Sequence, residues 1–302
     1  MIYKAKIWIR AARLRTLPLS LSGIIVGNAM SIKEPNFSWV LFVFMLLTAT
    51  GFQIISNFAN DYGDGVKGTD NDNRIGPKRV LQSGLLSREE LKQGIFLSSL
   101  VSFVLALFSI IYAFGIDSWL YIFLFISFTF LSIWAAIRYT VGEAAYGYQG
   151  FGDLFVFLFF GGLSVMGSYF IQVKSLDVKV GVLAIAIGLL AVGVLNLNNM
   201  RDLGSDRLVG KRTFAVFLGQ KKAKTYHITI LISSYILLLT VFVPTKEPIH
   251  WLPLLVVFPL FTHLIRVIKT KAPIAFDPEL KKLALTTFLL SILIFITALS
   301  GL

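Results

Sequence analysis

The sequence predicts an all-α, polytopic membrane protein, and three observations lead to that fold class. Hydrophobic residues fill 56% of the 302 positions and charged residues only 15%, against about 25% in ordinary globular proteins. The mean hydropathy is +0.77. The apolar residues also fall in runs of about 20, the length that a helix needs to cross a bilayer. The alternative, a soluble protein with a large apolar core, would require alternation with polar residues that these runs lack.

Nine segments are long and apolar enough to be predicted spans. They lie at roughly 16–32, 38–58, 92–114, 118–137, 152–173, 179–199, 225–244, 250–268 and 282–301. The first is short and has Pro18 near its start. It also carries Gly23 and Gly27, whose spacing favours close packing against another helix.

The positive charges indicate how the chain is oriented. Of the 28 lysines and arginines, all but four lie in the N-terminal segment or in and beside loops 59–91, 138–151, 200–224 and 266–282. The positive-inside rule places this side in the cytoplasm, at the inner membrane of the cell. Loops 59–91 and 200–224 are the longest connections, and long loops are usually functional. We therefore expect residues 1–302 to form one transmembrane domain with its site there, and we expect no removable signal peptide.

A first acidic cluster lies at the C-terminal end of the second predicted span. Asn57, Asp61 and Asp64 share one helical face because they are spaced i, i+4 and i+7, and Asn60 lies at the edge of that face. Charge at a membrane boundary is costly and is usually functional. Capping of the helix end is the alternative role for these side chains.

A second acidic cluster lies at the C-terminal end of the sixth predicted span and has a similar spacing of residues. Asn199, Asp202 and Asp206 share one face there. The two spans leave the membrane on the same side, and hard oxygen ligands suit Mg²⁺, which commonly joins carboxylates to substrate phosphates. The two clusters therefore predict a site for a magnesium-bound diphosphate. The chain has no cysteine, which excludes thiolate ligands and a cysteine nucleophile.

Basic side chains accompany both clusters: Lys67, Arg74, Lys78, Arg79, Lys211 and Arg212. Such cations pair with phosphate oxygens, arginine in a bidentate way. The alternative is that they set the orientation and contact anionic lipid headgroups, which is the role we assign to Lys221, Lys222 and Lys224. In the loop before the fifth span, Tyr139, Tyr146 and Tyr148 either contact a polar aromatic substrate or belong to an interfacial aromatic belt. Asp153, an acidic residue at the start of that span, favours contact with the substrate.

These residues resemble a known family. Asn60-Asp61-Tyr62-Gly63-Asp64, followed by Asp202-x-x-x-Asp206, resembles the paired aspartate-rich motifs of the UbiA superfamily of intramembrane prenyltransferases. Three stretches are similar to one branch, the 1,4-dihydroxy-2-naphthoate polyprenyltransferases (MenA) of menaquinone biosynthesis: NFANDYGDGVKGTDNDNRIGPKRVLQSG (57–84), GYQGFGDLFVFLFFG (147–161) and NNMRDLGSDRLVGKRTFAVFLG (198–219). The resemblance extends over essentially the whole chain and implies a UbiA-type bundle around a central cavity.

The resemblance implies transfer of a polyprenyl group from its diphosphate to 1,4-dihydroxy-2-naphthoate, with loss of CO₂ and diphosphate, giving demethylmenaquinol. It implies catalytic roles for Asp61, Asp64, Asp202 and Asp206. It implies that Mg²⁺ is held by Asn57, Asn60, Asp61, Asp64, Asp202 and Asp206. The diphosphate would be contacted by Asn60, Lys67, Arg74, Lys78, Arg79 and Lys211, and the acceptor by Tyr139 and Asp153.

Two alternatives remain at this stage. The first is a prenyltransferase of the same superfamily that uses 4-hydroxybenzoate, homogentisate, haem or a chlorin as acceptor. The second is a cation-coupled secondary transporter, whose acidic residues usually lie near the bilayer midplane on broken helices. Here the acids lie at helix ends beside basic loops, which favours a phosphorylated substrate.

Overall fold

The computed structural model describes residues 2–70, 75–245 and 247–301, and these residues form helices without any strand. The α-helices of this part of the chain are α1 (Ile2–Ala12), α2 (Leu17–Ser31), α3 (Trp39–Val66), α4 (Arg88–Phe114), α5 (Trp119–Arg138), α6 (Gly152–Val156), α7 (Ser168–Val173), α8 (Val178–Leu208), α9 (Phe214–Phe242), α10 (Val257–Lys269) and α11 (Phe276–Leu299). A π-helix at Phe157–Gly167 joins α6 to α7. Shorter 3₁₀ segments lie at Leu14–Thr16, Tyr146–Tyr148, Pro248–Val256 and Pro273–Ala275.

Eight helical stretches in the described residues are long and apolar enough to cross a bilayer, so the chain is a multi-pass membrane protein. The predicted number of nine is wrong by one. The first predicted span is α2, which has only 15 residues. At 1.5 Å per residue it covers roughly 22 Å, less than the approximately 30 Å of a hydrocarbon core.

Helix α2 packs closely against the π-helix. A Cβ atom at Gly23 would collide with the side chain of Ser164, and one at Gly27 with Ser168 and the backbone of Val165. The prediction of close packing at these two glycines is confirmed. This close packing at the two glycines holds α2 inside the bundle, although α2 is too short to span a bilayer by itself.

The two helices that carry the acidic clusters begin with side-chain caps and run in the same direction. The Ser38 hydroxyl accepts a hydrogen bond from the Leu41 amide at the start of α3. Asp177 accepts from the amides of Lys179 and Val180 at the start of α8. Such caps satisfy amide groups that have no partner within the helix. The Tyr148 hydroxyl donates to Asp64 near the end of α3, and the Tyr148 carbonyl accepts from the amide of Arg212 just after α8. The C-terminal turns of both helices therefore reach the same end of the bundle, which we call the charged end.

The packed core lies around α8, and large apolar side chains elsewhere face outward. Leu183, Ile187 and Leu197 of α8 are fully buried. By contrast, Phe96 and Phe258 are 71% and 67% exposed. Exposed aromatic side chains on membrane helices contact lipid tails, so this distribution is the one expected for a bundle within a bilayer.

Candidate active site

A cavity of about 730 Å³ runs through the bundle and has chemically different ends. At the charged end its walls include Asn60, Asp64, Arg79, Asn198, Arg201, Lys211 and Asp277. Further in, they are largely apolar and include Ile24, Met45, Ile110, Phe125 and Ile171. Met45 and Asp64 lie on the same helix 19 residues apart, a separation of about 28 Å along the axis. The cavity thus fits an anionic head group joined to a long apolar tail.

The carboxylates of the first cluster are buried and paired with arginines. Arg13 forms an ion pair with Asp61. Arg79 Nη1 lies 2.8 Å from Asp64 Oδ2, and its Nε lies 3.1 Å from Asp70 Oδ1 and 3.7 Å from Asp61 Oδ1. The cluster is therefore an acid–arginine network in which each acid already has a cationic neighbour.

Arg79 also interacts electrostatically with the second cluster. Burial opposes the charge on its guanidinium, but Asp64, Asp70, Asp61 and Asp202 together raise its pKa above the usual value. Asp202 belongs to α8 and the other three acids to α3 and the loop after it. The two acidic clusters therefore both stabilise the charge on the same arginine.

The second cluster is arranged around Arg201. This arginine donates to both carboxylate oxygens of Asp202, at 2.9 and 2.7 Å. It donates to Asp277 Oδ1 at 2.5 Å and to Asn198 Oδ1 at 2.8 Å. Asp277 lies in the first turn of α11, so this network joins the last helix to the second cluster.

Tyr148 bridges the two clusters. Its hydroxyl donates to Asp64 Oδ1 at 2.7 Å, and its backbone carbonyl accepts from the amide of Arg212 at 2.9 Å. The ammonium group of Lys211 lies 5.4 Å from the centre of the tyrosine ring and 3.4 Å from Asp206 Oδ1. Burial opposes the charge of Lys211, but Asp206 and Asp64 raise its pKa, so it stays protonated at neutral pH.

The donor set fits a hard divalent cation. Within the described residues, no three acidic or histidine side chains converge on one point, because arginine and lysine side chains lie between the carboxylates. Within the second cluster, Asp206 Oδ2 and Asn199 Oδ1 are nevertheless buried without a hydrogen-bond partner among the described residues. A buried unpaired oxygen requires an explanation, and a bound ion is one. Carboxylate and amide oxygens are ligands that Mg²⁺ accepts.

The two residues predicted for the acceptor lie in different places. Tyr139 lines the cavity, and its ring meets that of Tyr146 edge to face at 5.4 Å. Asp153 is absent from the described cavity wall and accepts a hydrogen bond from Tyr226 at 3.0 Å. Burial, followed by the charge of Asp153, raises the pKa of Tyr139, so this phenol remains protonated.

Several other predicted residues lie around the network rather than inside it. Lys67 lies against the Tyr148 ring, at 3.9 Å from its centre. Lys78 lines a second, smaller cavity. The Asn57 amide donates to the carbonyl of Ala12 at 2.8 Å and so anchors the end of α1. Arg74 lies outside the described residues.

Sequence reasoning missed Arg13, Arg201 and Asp277 as parts of the site. Arg13 lies 48 residues from its partner Asp61, and Arg201 lies 76 residues from Asp277. One signal was available for Asp277, because it is an acidic residue between basic ones on the positively charged side of the membrane. For Arg13 the signal was its position directly before the first predicted span.

The fold and the site together define a class of protein. The model of the UbiA prenyltransferase family matches residues 20–292, and the chain belongs to that family. It is 40% identical to a 1,4-dihydroxy-2-naphthoate octaprenyltransferase of Haemophilus influenzae, over 99% of this chain and 97% of that one. It is 38% identical to the protein of the same description from Escherichia coli, over 97% and 96%.

Solved structures support the fold independently of sequence. A UbiA homologue from Archaeoglobus fulgidus bound to GPP and Mg²⁺ is similar with a TM-score of 0.72, over 97% of this chain and 98% of that one. An apo UbiA homologue from Aeropyrum pernix gives a TM-score of 0.71, over 95% and 98%. Both are 16% identical to this chain, so the similarity concerns the fold. The resemblance to this family and its helical architecture is confirmed.

Proposed function

We propose that this protein transfers a polyprenyl group from a polyprenyl diphosphate to 1,4-dihydroxy-2-naphthoate, in menaquinone biosynthesis. The observation that supports it most is the large cavity, which has Asp64 of the first cluster and Asn198 and Arg201 beside the second cluster at one end, and apolar walls further in. The relatives from Haemophilus influenzae and Escherichia coli carry that description and match nearly the full chain. Residues 1–302 form one catalytic domain, with loops 59–91 and 200–224 and the N-terminus in the cytoplasm.

The diphosphate binds at the charged end, where cations that now pair with aspartates can turn to phosphate oxygens. Arg79 and Lys211 line the cavity and contact acids of both clusters through short ion pairs. Asp64, Asp202 and Asp206, with Asn60 and Asn199, supply the oxygens for Mg²⁺. When bound, Mg²⁺ withdraws charge from the diphosphate and makes it a better leaving group.

The chain's own residues hold the reacting groups and exclude water. The buried arginines and lysine stabilise the charge that develops on the diphosphate as the prenyl carbon–oxygen bond breaks. The apolar wall holds the tail and keeps water from the allylic cation. Tyr139 and Tyr146, whose rings meet edge to face at the cavity wall, face the aromatic acceptor. Its ring forms the new carbon–carbon bond, and the ring carboxylate leaves as CO₂.

The assay that tests this function uses the purified protein in phosphatidylcholine nanodiscs. The donor is a polyprenyl diphosphate with Mg²⁺, and the acceptors are 1,4-dihydroxy-2-naphthoate, 4-hydroxybenzoate and homogentisate in parallel. We expect diphosphate release and a decarboxylated, prenylated naphthoquinol with the first acceptor only. Product with 4-hydroxybenzoate in place of the naphthoate would refute the acceptor assignment, and no product with any acceptor would refute prenyl transfer.

A further inference from the structure

Arg201 occupies both carboxylate oxygens of Asp202, one of the residues proposed to supply oxygens for Mg²⁺. Its Nε donates to Asp202 Oδ1 at 2.9 Å, and its Nη2 donates to Asp202 Oδ2 at 2.7 Å. The two residues are only 3% and 6% exposed, so the pair is largely shielded from water. A guanidinium that holds a carboxylate in this bidentate way competes with a metal ion for the same oxygens. Mg²⁺ therefore gains Asp202 only when Arg201 releases it.

A second aspartate already contacts the same guanidinium from another helix. Arg201 Nη1 donates to Asp277 Oδ1 at 2.5 Å, and Nη2 also donates to Asn198 Oδ1 at 2.8 Å. Both bonds remain when Asp202 turns to a metal ion. Among residues 2–70, 75–245 and 247–301, Arg201 forms ion pairs with Asp202 and Asp277 alone. A buried charge that loses its partner is strongly destabilising, and Asp277 is the anion that prevents this loss.

The start of α11 is fixed to its neighbours, so Asp277 is held in position. Two residues further on, Glu279 is only 4% exposed. Its Oε2 lies 2.8 Å from His263 Nδ1 of α10, and its Oε1 accepts from Lys282 at 2.8 Å. His263 Nε2 in turn lies 2.9 Å from His227 Nε2 of α9. These contacts join the first turns of α11 to α9 and α10, while Asp277 lines the large cavity beside Arg201.

We propose that Asp277 is a positioning residue, which makes Asp202 available to Mg²⁺ by holding Arg201 when the metal binds. The inference rests on the proposed function, which requires Mg²⁺ and a diphosphate at the charged end. In the ligand-free protein, Arg201 lies between Asp202 and Asp277. With Mg²⁺ and diphosphate present, Asp202 turns to the metal, and Arg201 keeps Asp277 and Asn198. The exchange transfers no proton, because one carboxylate replaces another as the counter-charge of the arginine.

The test measures how much Mg²⁺ the protein needs to bind diphosphate, without any turnover. Inorganic diphosphate is titrated by calorimetry into the purified protein in phosphatidylcholine nanodiscs, at a series of MgCl₂ concentrations. The variants are Asp277→Asn, Asp277→Glu, Arg201→Gln, and Arg201→Gln combined with Asp277→Asn. The control is Glu143→Gln, which removes an exposed carboxylate from loop 138–151 and leaves both ion pairs of Arg201 intact.

We expect Asp277→Asn to raise the Mg²⁺ concentration for half-maximal diphosphate binding about tenfold, which corresponds to about 1.4 kcal/mol. The reason is that Arg201 then depends on Asp202 for its counter-charge and holds it against the metal. Asp277→Glu should stay near the wild type because it keeps the charge, and Glu143→Gln should equal the wild type. At saturating Mg²⁺, Asp277→Asn should bind diphosphate like the wild type.

The Arg201→Gln background separates this exchange from a general effect of charge. Without the arginine, Asp202 has no competing cation from that side chain, so Asp277→Asn should no longer change the Mg²⁺ requirement. The two substitutions should therefore be non-additive, as for residues that act through one contact. A loss of negative charge that acts only at a distance would raise the Mg²⁺ requirement in both backgrounds.

Three outcomes would overturn the proposal. An unchanged Mg²⁺ requirement in Asp277→Asn would show that Arg201 releases Asp202 without a second anion. An equal increase in Glu143→Gln, or one that persists in the Arg201→Gln background, would reduce Asp277 to a distant charge. If the Arg201 variants do not fold, Asp277→Glu decides, and an increase as large as that of Asp277→Asn would exclude the role of the charge.

The wild type distinguishes failure of this inference from failure of the proposed function. Diphosphate binding that does not depend on Mg²⁺ in the wild type would refute the metal site on which both depend. Mg²⁺-dependent binding and prenyl transfer in the wild type, with no change in Asp277→Asn, would refute only the role of Asp277.

Discussion

Replacing Arg79 by glutamine should change how the first acidic cluster is neutralised. Arg79 lies within 2.8 to 3.7 Å of carboxylate oxygens of Asp64, Asp70 and Asp61. Glutamine keeps a hydrogen-bonding side chain but removes the charge, so the repulsion among three buried carboxylates increases. Removing one partner of a buried ion pair costs about 3–5 kcal/mol. We expect the free energy of unfolding of the ligand-free variant to fall by roughly that amount.

When diphosphate is absent, Mg²⁺ should stabilise the Arg79→Gln variant much more than the wild type. In the wild type, Arg79 lies between the carboxylates, and Mg²⁺ can replace it only if the guanidinium finds another anion. Inorganic diphosphate supplies that anion, so Mg²⁺ and diphosphate should stabilise the wild type together and Mg²⁺ alone very little. In Arg79→Gln, Mg²⁺ alone should restore much of the lost stability. Diphosphate should bind the variant about 10- to 100-fold more weakly, because a charge-assisted hydrogen bond contributes about 1.5–3 kcal/mol.

The assay is thermal unfolding in nanodiscs across MgCl₂ concentrations, with and without inorganic diphosphate. Because a ligand stabilises the folded state according to its concentration relative to its Kd, the shift in apparent Tm reports affinity. Arg207→Gln is the control, since Arg207 is exposed on the same helix end as the second cluster. An identical response of wild type and Arg79→Gln to Mg²⁺ alone would refute the exchange of partners.

Three further predictions follow from individual contacts. Asp206→Asn should lower turnover by roughly 10²-fold or more while the protein stays folded, as measured by diphosphate release and apparent Tm; near-normal turnover would exclude its metal role. Gly27→Ala should destabilise the bundle by about 1–3 kcal/mol, because the new methyl group meets Ser168. Gly181→Ala meets nothing and is its control, and equal stability would contradict the packing. Tyr148→Phe should raise the donor KM about tenfold by releasing a carboxylate of the first cluster, and an unchanged KM would show that the bridge is dispensable.

The sequence predicted those features of the fold and the site that depend on regular spacing along the chain. Runs of apolar residues report helices because a bilayer requires about 20 of them, and spacing alone placed Asp61 and Asp64 on one face of α3. The charge asymmetry indicated the end of the bundle at which the site lies. The predicted number of spans was too high by one because α2 is as apolar as a membrane span but has only 15 residues.

The features that the sequence could not predict depend on contacts between distant residues. Nothing local to Arg13 or Asp277 indicates its partner, because each partner lies on another helix. The π-helix between α6 and α7 has no separate periodic signal, since its apolar residues fit an α-helix equally well. For Tyr148 the sequence left two roles open, substrate contact or an aromatic belt, and its role as a bridge became evident only from its hydrogen bond to Asp64.

The measurement that tests the central claim most directly is a double-mutant cycle between the two clusters. Asp64→Asn, Asp206→Asn and the double variant are compared by the Mg²⁺-dependent affinity for a non-hydrolysable prenyl thiodiphosphate. If both acids act on one metal-bound diphosphate, the two losses should be non-additive by about 0.5–3 kcal/mol, as for residues that share a partner. Losses that add within error, or an affinity that does not depend on Mg²⁺, would contradict a shared diphosphate site.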